Sequence, residues 1–124
     1  MDFEHSERSR DLAAKVDRFI RERVLPSESL YEEQLVHSQD YRTWRVPPVM
    51  EQLKADAKAA GLWNLYLPGT PPGWDNRDYA PIAELTGRSF LAPEVFNCNA
   101  PDSGNAEVLL HYGSPEQQER WLKP

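Results

Sequence analysis

The sequence has 124 residues, of which 40% are hydrophobic and 27% charged, with a net charge of −6. That length suits one domain with its own core, and the balance excludes wholesale disorder. The basic residues Arg8, Arg10, Lys15, Arg18, Arg21 and Arg23 alternate with acids, which argues against nucleic acid, a partner that demands a clustered positive face.

The first expected element runs from about Ser6 to Leu25. Leu12, Val16, Phe19, Ile20 and Val24 recur at the spacing of one helix face, and Pro26 is expected to end it. Lys15, Asp17, Arg18 and Glu22 form the opposite, solvated face. Residues 27–45 read as a long connection with room for a short helical turn. A second helix follows Pro47 and Pro48, with Met50, Leu53, Ala57 and Ala60 on one face and Gly61 as the left-handed stop. The run LWNLYLP reads as extended, and GTPPGW as a turn-rich loop.

A third helix starts at Asp75 or Asn76, both good caps, with Tyr79, Ile82, Ala83 and Thr86 on its face. Pro81 lies about one turn in, where its missing N–H is expected to cost little. A fourth helix covers Asp102 to Tyr112, capped by Asp102 or Ser103 and stopped by Gly113. In SPEQQERWLKP, Ser114 and Gln117 form a capping box with Pro115 at the first helical position, which starts a fifth helix. With five helices and no strand alternation, the fold class is all-α, a bundle of mostly antiparallel helices.

Candidate chemistry is sparse. No phosphate loop, dinucleotide fingerprint or paired His/Cys metal spacing is present, so no metal site is expected. His5, His37 and His111 are far apart, and His111 suits a helix C-terminus. Cys98 is the single cysteine; it reads as a small buried residue, and one unpaired thiol fits a cytoplasmic location. Glu84 reads as a surface residue or an ion-pair partner of Arg88. Trp44, Trp63, Trp74 and Trp121 read as apolar anchors, with Trp121 in core or interface. The N-terminus MDFEHSERSR has no apolar segment of a secretory signal, and no run reaches the ~20 apolar residues of a membrane span.

Longer motifs carry a resemblance. GLWNLYLP, followed by NRDYAPIAELTGRSFLAPEVFNCNAPDSGNAEVLLHYGSPEQQERWLKP, resembles the N-terminal helical domain of the acyl-CoA dehydrogenases. The first helix adds Arg18-Phe19 through Val24 to Pro26. The similarity is strongest to the subgroup that in vertebrates is fused behind phosphotransferase-like domains, and it covers essentially the whole chain. It implies an oxidoreductase of fatty acid β-oxidation, a flavoprotein that converts acyl-CoA to trans-2-enoyl-CoA. It also implies a middle β-domain and a C-terminal helical domain absent from this chain, an FAD site between those domains and a neighbouring subunit, and a glutamate base in the C-terminal domain. Residues 1–124 are then the N-terminal domain, which supplies no catalytic residue, binds no cofactor alone, and is expected to be inactive by itself. By the same resemblance, Phe96, Asn97, Ala100, Pro101 and Gly104 form one wall of the acyl pocket. The implied partners are acyl-CoA and either a homo-oligomer or a separate chain carrying the missing flavin domains. Two further readings stand beside it: a stand-alone helical interaction module that pairs with such a chain, and an inactive remnant.

Overall fold

The computed structural model describes residues 4–67 and 73–123. Seven α-helical segments are present among them: α1 (Glu7–Phe19), α2 (Leu25–Gln34), α3 (Pro48–Ala59), α4 (Asn76–Thr86), α5 (Ala92–Val95), α6 (Asp102–Tyr112) and α7 (Pro115–Gln117). No strand occurs among the described residues, so the all-α class holds. None of the helices is long and apolar enough to cross a membrane.

The apolar stripe of the first element lies where its period puts it. Val16, Ile20 and Val24 are fully buried, with Leu12 and Phe19 packed beside them. Pro26 does not end this helix. A π-turn over Ile20–Val24 joins α1 to α2, and the helical rod continues to Gln34. A proline in a regular helix leaves the carbonyl four residues back without its N–H and presses its ring on it. Here the turn widens just before the proline, and the Leu25 N–H bonds five residues back to Ile20. The Ser27 hydroxyl then donates to the Arg23 carbonyl at 2.7 Å. The connection expected over residues 27–45 is therefore helical in its first part, and the expected short turn is the 3-10 turn Tyr41–Thr43.

Helix α3 starts at Pro48 and buries Met50, Leu53 and Ala57, while Ala60, expected on that face, is exposed. Ala60 ends the helix. Gly61 follows at φ +69°, and the Gly61 and Leu62 N–H groups bond back to Lys58 and Ala57, closing the C-terminus. The Gln34 side chain accepts from the Val49 N–H at 2.9 Å and so caps α3 from the end of α2. The run after Gly61 is not extended: it coils through Asn64, which is left-handed at φ 61°. The loop expected at GTPPGW lies mostly outside the described residues.

Helix α4 has Asp75 as its cap in a complete capping box with Asp78. Ile82 and Thr86 are buried and Tyr79 half-buried, but Ala83 is exposed. Pro81 is the sixth residue of α4, beyond the free N–H groups of the first turn, so it costs the helix one bond. The short α5, unassigned from periodicity, places Ala92 and Val95 in the core.

Helix α1 packs on α4 through a polar clasp as well as through apolar contact. The Ser6 hydroxyl caps α1 by accepting from the Ser9 N–H at 3.1 Å and donates to Asp78 Oδ1 at 2.6 Å. The buried Ser9 hydroxyl donates to the Asp78 carbonyl at 2.6 Å. The Ser6 bond lowers the Asp78 pKa against the opposing effect of burial, helped by the Asp75 N–H and by the charges of Arg77 and Arg8. A carboxylate held this way stabilises the fold above the ordinary Asp pKa of about 3.9 and stops doing so as pH falls through its lowered folded value. Replacing Ser9 by Ala removes the second hydrogen bond to the Asp78 carbonyl and should cost about 1 kcal/mol in urea unfolding. Ser6→Ala should make the loss of stability below about pH 3.9 shallower than in the parent protein.

Candidate functional site

The core ends at α5. Helix α6 buries no residue, and neither does the π-turn Gln118–Leu122 that continues α7. These segments pack on one another as a helical hairpin. Its turn depends on Gly113, because a Cβ there would stand 2.5 Å from the Leu109 carbonyl oxygen. The Ser114–Gln117 capping box forms as the sequence implies, with both reciprocal bonds present. The N-cap position of α6 is Pro101, however, and neither Asp102 nor Ser103 caps it with a side chain. Gln118 has no capping signature in the sequence. Its amide lies within 3.1–3.2 Å of the Leu109, Leu110 and Gly113 carbonyls and closes the C-terminus of α6.

Between this hairpin and the body runs an open groove of about 630 Å³. Trp63 and Asn97 line it from the body, Asp102, Asn105, Ala106, Val108 and Leu109 from α6, and Trp121 and Leu122 from the last turn. Trp121 is 57% exposed, so it belongs to a surface and not to the core. Val108 and Tyr112 are also exposed. Trp63 is half-buried, and the Lys58 ammonium sits 4.5 Å from the centre of its ring.

Of the residues expected to form a wall, Asn97 lines the groove directly. Phe96 lies behind it, buried in the core and edge-on to Phe19 at 5.6 Å between ring centres. Ala100 and Pro101, joined by a cis peptide bond, lead exposed into α6. Gly104 is exposed on the first turn of α6, and a Cβ there meets nothing within 4 Å. The wall residues found only in the structure are Trp63, Asp102, Asn105, Ala106, Val108, Leu109, Trp121 and Leu122. Sequence spacing could not pair Trp63 with residues about forty positions away.

The remaining candidates have structural surroundings. Cys98 is half-buried, hydrogen-bonded with Tyr79 and Thr86, and burial pushes its thiol pKa up despite those bonds. Burial, followed by the Glu107, Cys98 and Asp102 charges, also raises Tyr66, which stays a protonated donor to the Ser103 carbonyl at 3.3 Å. Glu84 is exposed, but Arg88 pairs with Asp17 on α1 and not with Glu84. His111 is exposed in the last turn of α6. Trp74 is a true anchor, buried and donating to the Leu65 carbonyl at 2.6 Å, whereas Trp44 is exposed. Among the described residues no group of three or more His, Cys, Asp or Glu could hold a metal ion.

A helical body bearing a side hairpin and an apolar groove has known counterparts. The family model for the acyl-CoA dehydrogenase N-terminal domain matches residues 6–124, and the chain belongs to that family. It is 47% identical over 123 residues to Acyl-CoA dehydrogenase family member 11 of Gallus gallus and 45% identical to the Homo sapiens protein of that name. Each match covers 98% of this chain but only 16% of the relative. A solved structure described as an acyl-CoA dehydrogenase from Mycobacterium abscessus superposes with a TM-score of 0.82 at 50% identity, over 98% of this chain and 32% of that one.

The hairpin should loosen without loss of the body. Gly113→Ala or Gln118→Leu should speed hydrogen exchange across 109–122 while the urea midpoint of the core changes little. Cys98 should react with a disulfide reagent far more slowly in the native protein than in denaturant, because the thiolate is disfavoured and half-covered.

Proposed function

We propose that this chain is the N-terminal part of an FAD-dependent acyl-CoA dehydrogenase and that its groove supplies one wall of the acyl pocket. The observation that carries the reading is the groove itself, whose lining of Trp63, Ala106, Val108, Leu109, Trp121 and Leu122 suits an apolar chain. Family membership supports the chemistry: oxidation of acyl-CoA to trans-2-enoyl-CoA.

The groove does not fit the flavin. Its lining has one carboxylate, Asp102, and no cation, so a dinucleotide pyrophosphate would meet like charge there. On this reading FAD, which when bound supplies the hydride acceptor, and the base that removes the α-proton both come from protein beyond this chain. The contribution of these residues is to bind the acyl chain and exclude water from it, which strengthens the polar contacts made elsewhere to the thioester. Phe96 backs the wall from the core, Asn97 faces the groove, and Ala100, Pro101 and Gly104 leave room at the start of α6 for long or bulky acyl groups.

The exposed Val108, Tyr112 and Trp121 imply cover by further protein, either more of an oligomeric cytoplasmic enzyme or a separate flavin-carrying chain. The mass of the native protein in its source cell separates these two arrangements. Gly104→Leu tests the wall. The site has space for the added side chain and Leu is the better helix former, so the domain should fold. In the complete enzyme the variant should shift preference toward shorter acyl-CoAs. An unchanged chain-length profile would remove Gly104, and the wall built on it, from the pocket.

A further inference from the structure

The body-side wall of the groove rests on a link between two asparagines that the proposed function does not itself use. Asn64 and Asn97 are the two non-glycine residues at positive φ among the described residues, at 61° and 55°. Asparagine tolerates the left-handed region better than most residues, but a chain adopts it only where its surroundings hold it there. Here the two hold each other. The Asn97 side-chain amide donates to Asn64 Oδ1 at 2.6 Å, and the Asn64 N–H donates to the Phe96 carbonyl at 3.2 Å. The link joins segments 33 positions apart, one leaving α3 and the other leaving α5.

Both segments meet the groove next to the link. Trp63, the neighbour of Asn64, and Asn97 itself are the body-side lining. Two residues further on, Tyr66 donates to the Ser103 carbonyl in the first turn of α6. The Trp63 ring, the asparagine pair and the root of α6 are thus spaced by one short run of chain. We infer that Asn64 and Asn97 are positioning residues that set the width of the groove, and through it the selection of acyl chain length. This inference rests on the wall reading above. Apolar pockets discriminate weakly per methylene, so their selectivity depends on walls that do not yield. A left-handed asparagine pair provides such a wall, since neither residue can relax to ordinary helical or extended backbone without breaking the bond between them.

Glycine separates the two ingredients. Asn64→Gly and Asn97→Gly accept positive φ without strain but remove the side-chain bond. Asn64→Asp keeps an acceptor for the Asn97 amide. In the complete enzyme the ratio of kcat/KM for palmitoyl-CoA to that for octanoyl-CoA should change roughly tenfold in each glycine variant and return toward the parent value in Asn64→Asp. Hydrogen exchange over 63–67 and 97–105 should accelerate in the glycine variants while α1 and α4 stay protected, a readout that holds even if turnover is lost. If Gly104→Leu shifts the chain-length profile and the glycine variants do not, the wall stands and the positioning role is wrong. If Asn64→Asp behaves like Asn64→Gly, or exchange over these segments is unchanged, the bond is not what holds the wall. If neither Gly104→Leu nor the glycine variants alter the profile, the wall reading itself fails.

Discussion

Everything in the body is arranged around one buried line of side chains, Val16, Ile20 and Val24, on a helical rod that has to carry a proline two residues later. The π-turn resolves the conflict. It keeps the three residues facing inward and lets the rod run on to Gln34. That extension matters because α2 then reaches α3 and, at Ser89 and Phe90, the α4–α5 junction. Gln34 caps α3, and Glu28 accepts from the buried Ser89 hydroxyl at 2.7 Å. A helix that broke at Pro26 would lose both.

The polar contacts differ in what they contribute. Asp17 pairs with both Arg21 and Arg88, and Arg23 pairs with Asp56, all at the surface, where such pairs are worth little. Lys54 is closer to a structural tie: burial disfavours its ammonium, yet the Glu94 and Glu51 carboxylates raise its pKa, and the Glu94 pair holds α3 against α5. The clasp of Ser6, Ser9 and Asp78 is more demanding, because a buried hydroxyl or carbonyl without its partner is costly. The buried Ser9 bond and the part-buried Ser6 bond fix the register of α1 on α4.

The hairpin of α6 and α7 follows a different logic. Its internal geometry is tightly specified by Gly113, the capping box and the Gln118 amide, yet it buries nothing of its own. A well-made element with apolar residues facing outward presents a surface, and the groove at its base is the part of that surface with a defined shape. On the body beside the hairpin, burial pushes the Cys98 thiol and the Tyr66 phenol up and keeps both protonated.

The elements that depend on local chemistry were legible in the sequence. The apolar period of α1, the Asp75 and Ser114 caps, the Gly61 stop and the family motifs are each set by residues within one or two turns of each other, and each took its expected form. The departures share one cause: distant contacts outweighed local preference. Pro26 reads as a stop until packing on both sides holds the rod together; Arg88, in the turn after α4, pairs with Asp17 across the interface and not with Glu84 four positions back; residues 62–67 coil where Asn64 is tied to Asn97. Sequence alone determined an all-α domain and its family, since helix period, caps and motifs are short-range. Only the tertiary structure decided that Trp63 and Asn97 share a wall with α6, since a groove is made by segments brought together from far apart in the chain.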